Sequence, residues 1–201
     1  PHPVTNQILP HMFTSWEVAD PSGTTLIFKV HPKLFVHDMA PYNGRQFTAT
    51  DAAFNLERIG GLYADKEKIA LSSFQRASMV ANLVKAEAVD KTTVKVTLSR
   101  PNGAFFNGLT ENRVPMMPKE MDDVGFKEPV KFAGVGAFQV TEWNVETRQV
   151  FRKFDQYFRK GEPYFDSFER IIVPDTAATQ AAFISKQTQH LSTPDPGSVA
   201  T

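Results

Sequence analysis

Residues 35–59 read FVHDMAPYNGRQFTATDAAFNLERI, and they divide into a strand end, an irregular loop and a helix with a marked start. Phe47 precedes Thr48, a residue suited to the N-cap, and Asp51 lies three positions on. There a carboxylate meets free amides and the positive end of the helix dipole. Ala52, Ala53, Leu56 and Ile59 recur at helical spacing, and Gly60-Gly61 ends the run. The stretch specifies an amphipathic helix and holds no catalytic grouping.

Outward from this helix, the bulk of the chain narrows the function classes. At 201 residues it can bury a core as one large domain or two small ones. Lys+Arg 22 against Asp+Glu 22 leaves no net charge, so a non-specific nucleic-acid role has no electrostatic support. The 17 phenylalanines imply aromatic packing, or in part an apolar surface that expects a neighbour. With Cys 0, disulfides, thiolate zinc sites and cysteine nucleophiles are excluded. No apolar run approaches the roughly 20 residues of a membrane helix. The opening Pro1-His2-Pro3 lacks the charged and apolar regions of a signal peptide, so the expectation is a mature or excised piece, or else a cytosolic protein.

In order along the chain, Trp16-Glu17-Val18 leads into the turn Asp20-Pro21-Ser22-Gly23, and Thr25–Val30 is β-branched and aromatic enough for a strand. Lys66–Leu83 supports a second helix with an incomplete apolar stripe. Val84–Val89 and Thr92–Ser99 form a hairpin tipped by Asp90-Lys91, in which Val94, Val96 and Leu98 alternate with Thr93, Lys95 and Thr97. Asn102–Thr110 reads as a short helix, and Met117–Glu120 starts another. Residues 122–132 show no periodic pattern and form the candidate boundary between subdomains. Val135–Trp143 and Arg148–Lys153 are the next strand pair, expected outside the sheet of the preceding hairpin, with Trp143 in the core. Phe168–Val173 is a strand, and Asp175 caps a helix over Thr176–Lys186.

These passages carry a resemblance. His37-Asp38, Asn43-Gly44, Phe47-Thr48-Ala49, Asp51 and Phe54–Arg58 are similar to a signature of the family 5 extracellular solute-binding proteins, the peptide-, nickel- and oligosaccharide-capturing components of bacterial ABC importers. The hairpin at Trp16–Phe28, the passage from Val84 through Pro101 to Phe105-Phe106, the Val135–Trp143 strand, Asp155–Asp166 and Pro174-Asp175 resemble further family passages in the same order. The sequence departs from the pattern in the extra residues Met39–Tyr42, in Ala137 for proline and in Phe154 for asparagine. The resemblance implies an α+β, type II periplasmic-binding-protein-like clamshell fragment. Residues 8–130 would be a smaller subdomain with an antiparallel sheet and helices, and 131–201 part of the main ligand-binding lobe. It implies a monomer outside the cytoplasm, periplasmic, extracellular or lipid-anchored, that delivers a small molecule or peptide to an ABC permease. The opposing lobe would be absent, so weak or no solute binding by this piece alone is expected. A stand-alone interaction or scaffold module of the same fold is the alternative.

For the chemistry itself, His31, His37 and Asp38 invite a metal, but their strand-and-loop setting does not force them onto one face. The residue-level reading is that His37-Asp38 shapes the loop ahead of the helix through hydrogen bonds to backbone. A metal-assisted hydrolase built on those three residues is the remaining enzyme reading. No nucleophile elbow or phosphate loop is present, so no enzyme, metal or cofactor is expected. By resemblance, Arg113, Phe74 and Tyr63 are the candidate ligand-facing residues. Arg113 sits in a Pro-flanked turn where some family members hold a ligand carboxylate, to which a planar guanidinium is suited. As residues alone, Arg113 reads as a solvated surface arginine and Phe74 as core.

Overall fold

The computed structural model describes residues 5, 7–63, 74–112 and 114–190. Six-residue strands β1 (Phe13–Val18), β2 (Thr25–Val30), β3 (Leu83–Ala88) and β4 (Thr93–Leu98) form a four-stranded antiparallel sheet in the order β1-β2-β4-β3. An aspartate organises each of its two tight turns. Asp20 accepts hydrogen bonds from the amides of Thr24 and Thr25, and Asp90 from those of Thr92 and Thr93. This is the Asx-turn chemistry that makes the residue a turn former.

The helix anticipated from the opening stretch is α1, Ala49–Ile59, with Thr48 at its N-cap and Gly60 at its C-cap. It lays Ala49, Ala52, Ala53 and Leu56 on the sheet face made by Leu26, Phe28, Val30, Ala86, Val94, Val96 and Leu98. Alanines on the contact face let helix and sheet approach closely, and each large apolar side chain buried there contributes about 1.5–3 kcal/mol. Phe28 is the centre of this layer, with ring centroids 5.0 Å from Phe13, 6.3 Å from Phe105 and 6.0 Å from Phe106.

A second sheet, order β5-β6-β7, is built from β5 (Phe138–Trp143), β6 (Arg148–Lys153) and β7 (Ser167–Ile171). The Val135–Trp143 passage thus does lie outside the sheet of the preceding hairpin. Its aromatic ladder runs through Phe138, Phe151, Phe165 and Phe168, with Phe151 and Phe168 stacked at 4.5 Å. After it, α4 (Thr176–Ile184) begins as expected at Asp175, whose carboxylate accepts the Ala178 amide at 2.7 Å.

Several local expectations are corrected. Of the second helix, residues 66–73 lie outside the described residues; Ala77–Val80 is a single 3-10 turn and Leu83 already belongs to β3. The helix expected over Asn102–Thr110 shortens to α2, Phe105–Gly108, and the one expected at Met117–Glu120 begins later, as α3, Met121–Val124. Within the passage read as patternless, Val124 and Phe132 pack against the core, and Met121 just ahead of it is buried. Trp143 is half-buried against the edge of Phe151 rather than in the core. The extra residues Met39–Tyr42 prove to be structural: Tyr42 is buried, and its hydroxyl donates to the Lys131 carbonyl at 3.1 Å.

Asp51, 1% exposed, is the polar hub of the layer formed by α1 and the first sheet. Its Oδ1 accepts from Arg45 at 2.6 Å and from the Lys119 amide at 3.1 Å; its Oδ2 accepts from Arg45 and from the Thr48 amide, both at 2.9 Å. Arg45 also pairs with Glu120. Burial alone pushes the Asp51 carboxyl up, but the Arg45 guanidinium and the Thr48 and Lys119 amides more than offset it and hold it below its ordinary 3.8. A carboxyl depressed in the fold stabilises fully above its unfolded value, and that contribution is lost as pH falls from 3.8 through the lower folded value. Asp51→Ala leaves the Thr48 and Lys119 amides without their acceptor and Arg45 with Glu120 as its one remaining acid. It is expected to cost about 3 kcal/mol in urea unfolding at neutral pH, and a change below about 0.5 kcal/mol would remove Asp51 from this role.

Candidate functional site

The polar residues of α1 fix the segment that follows α2. Asn55, 1% exposed, donates through Nδ2 to the Met117 carbonyl at 2.6 Å and accepts the Met117 amide through Oδ1 at 3.2 Å. Together with the Asp51 bond to the Lys119 amide, this lays residues 117–119 along the helix. The sequence signal was only an asparagine in a helix interior, a position where the residue earns its place by a specific bond.

Beside this seam lies a cleft of about 250 Å³ lined by Asn55, Arg58, Ile59, Phe74, Arg76 and Met117, among others. Arg58 is engaged, pairing with Asp122 at 3.1 Å and lying 5.0 Å over the Phe126 ring. Arg76 forms no ion pair with any described residue, and its guanidinium remains available to an anion at the cleft.

A larger, open groove of about 820 Å³ adjoins the 3-10 turn and α2, with Ser78, Asn102, Asn107, Thr110, Glu111 and Asn112 as its polar lining. Asn102 braces its wall, donating to the Ala81 carbonyl at 3.0 Å and accepting the Ala104 amide at 3.1 Å. At its floor Gly108 passes so close to the 3-10 turn that a Cβ there would lie 1.8 Å from the Met79 carbonyl oxygen. Only glycine permits this approach.

Of the residues anticipated for a ligand, Phe74 is half-buried and lines the smaller cleft. Tyr63 lies on the other flank of α1, its ring 5.6 Å from Phe54 and its hydroxyl donating to Glu57 at 2.9 Å. Glu57 in turn accepts the Ala86 amide of β3 at 3.0 Å. Arg113 lies outside the described residues; in sequence it stands between Asn112 of the groove and Pro115 of the cleft. Arg76 was missed because a lone arginine in a polar run carries no pattern.

The metal candidates separate. His31 Nδ1 accepts the Lys33 amide at 3.1 Å, and no cluster able to hold a metal ion is present among the described residues. His37 does bond to backbone, but not to the loop ahead of α1. It accepts the Gly134 amide at 3.2 Å and donates to the Gly136 carbonyl at 3.1 Å, nearly a hundred residues away.

The layout of these two sheets is that of the type II periplasmic binding proteins. The dipeptide-binding protein of Pseudoalteromonas sp. SM9913, solved with Met-Leu, superposes with a TM-score of 0.78 at 19% identity over 92% of this chain and 38% of its own. The model of the bacterial extracellular solute-binding proteins, family 5, matches residues 7–201, and the chain belongs to that family. Among curated relatives, the dipeptide-binding protein of Escherichia coli (strain K12) is 25% identical over 98% of this chain and 38% of its own length. The glutathione-binding protein GsiB of the same strain is 28% identical over 93% of this chain and 34% of its own. The chain therefore spans little more than a third of the relatives it matches. No helix among the described residues is long and apolar enough to cross a membrane.

Gly108→Ala is expected to destabilise the fold by about 2–3 kcal/mol, because the methyl meets backbone that cannot swing aside. A thermal melt followed by circular dichroism measures this, and an unchanged midpoint would show that the 3-10 turn yields freely.

Proposed function

We propose that the chain supplies one wall of the solute site of an ABC importer's binding component, capturing a peptide, glutathione-like compound or nickel complex for delivery to a membrane permease. The observation that carries this reading is the cleft that joins an aromatic ring, Phe74, to the guanidinium of Arg76, which pairs with no acid among the described residues. A ring to stack on and guanidinium groups to grip a carboxylate suit small acidic or zwitterionic solutes. Names of relatives support the solute class: one is a dipeptide-binding protein and another a glutathione-binding protein. Tyr63, on the far flank of α1, is proposed to order the helix for this wall through Glu57. Residues 8–130 then form the smaller subdomain, and 131–201 begin the main lobe.

Support for a wall rather than a whole site comes from the second sheet. Every residue of β7 is exposed, Tyr164 is 90% exposed, and Phe165, Phe168, Ile171, Phe183 and Ile184 present apolar surface. Such a face fits a surface that further protein covers. Pockets that enclose most of a ligand need two walls. Titration of the 201-residue chain with dipeptides, glutathione and Ni(II)–histidine is expected to show no calorimetric binding tighter than about 1 mM. At higher solute concentration, amide shifts in the NMR spectrum should fall on residues 74–79 and 111–117. Micromolar affinity would overturn the one-wall reading, and shifts confined to another face would overturn the placement of the site.

A further inference from the structure

Two connections join the second sheet to the first subdomain: the crossing at residues 133–136 and the residues 154–158 that follow β6. Ala133, Val135 and Phe154 are buried in this seam, and Phe158 packs against the first core. Three of the 5 histidines face it. His37, 5% exposed, uses both ring nitrogens on the crossing and meets the Phe154 ring edge-on at 5.1 Å. His31 and His11 lie 4.9 and 5.0 Å from Phe158. This convergence is no part of the solute cleft and does not depend on what binds there.

We propose that this seam is a proton-operated joint: uptake of a proton at His37, reinforced at His31 and His11, releases residues 133–136 and 154–158 and uncouples the second sheet from the first subdomain. The chemistry lies in the donor pattern. With Nε2–H donating to Gly136, the neutral ring has one lone pair, on Nδ1, and it accepts the Gly134 amide. A proton from solvent occupies that lone pair, sets N–H against N–H, and leaves a charge among apolar side chains.

The surroundings set the sign. Burial holds His37 below its ordinary 6.5, and the Gly136 carbonyl opposes this only in part. The neighbouring carboxylate Asp38 lies against Gly44. His31 is lowered by its packing and by Lys33. His11 is lowered by packing on Phe158 and by Arg159 and His31, against Glu162. Because His11 keeps an exposed surface, its share is the smallest. Tyr157, which packs on Phe158, stays neutral throughout. A base whose folded value is depressed stabilises fully above its unfolded value. For His37 the joint is therefore closed above pH 6.5 and weakens as pH falls below it.

Hydrogen exchange of the 201-residue chain between pH 7.5 and 5.5, corrected for intrinsic exchange rates, tests the joint. Protection of the His37, Gly134, Phe154 and Tyr157 amides is expected to fall several-fold, up to about tenfold, more than that of the β2–β4 amides. A parallel change in both sets would overturn the proposal. In His37→Gln, which keeps a donor for Gly136 but cannot titrate, the difference should shrink to the small share of His31 and His11; a wild-type response there would overturn it. Should that variant not fold, ¹⁵N spectra of the wild-type imidazoles decide. The Nε2–H tautomer, titrating at the pH where the seam opens, supports the proposal, and the Nδ1–H tautomer overturns it. The double variant His11→Gln/His31→Gln should keep most of the response, and its loss would overturn the leading role of His37.

Discussion

The Asp51 carboxylate accepts hydrogen bonds from the arginine that ends the irregular loop, from the N-cap of its own helix and from the backbone beyond α2. Arg45 and Thr48 stand close ahead of Asp51 in the chain, whereas the Lys119 amide comes from 68 positions further on. A carboxylate this buried is tolerable only when every lone pair is used and a cation shares the charge. Arg45 meets that requirement and extends the network to Glu120. The position of α1 over the sheet, the course of residues 117–119 and with it the edge of the cleft at Met117 follow from satisfying one charge.

Around that network the apolar core does the larger energetic work but leaves geometry loosely specified. Alanines on α1 and valines on β4 would accept a helix shifted by a turn; the bonds from Asp51 and Asn55 to the 117–119 backbone would not. Hydrophobic burial holds the layers together, and the few buried polar groups choose which arrangement of layers is adopted.

Much of this was legible in the order of the residues. The cap at Thr48, the glycines after Ile59, the alternation in β4 and the Asp175 cap are local rules, and local rules survive into the fold. Failures occurred where a distant partner decides the outcome. Leu83 reads as the end of a helix until β4 offers it a strand partner, and Val124 and Phe132 read as part of a polar crossing until the distant core gives them something to pack against. His37 was rightly given backbone partners, yet they lie at Gly134 and Gly136, beyond anything that sequence spacing can register. At the cleft, Phe74 was singled out through resemblance, whereas Arg76 became visible only once the fold set it beside Met117.

The sheet margins carry a practical consequence. Each bulge places its extra residue in an outer strand: β1 between Phe13 and Ser15, β3 between Leu83 and Lys85, β5 between Val140 and Glu142. Such kinks spoil the regular row of donors and acceptors that a stray strand would need. Only β7 pairs without interruption and keeps a straight free margin. Among the described strands, Ser167–Ile171 is therefore the margin best able to take up a further strand, and a proline there would remove that capacity.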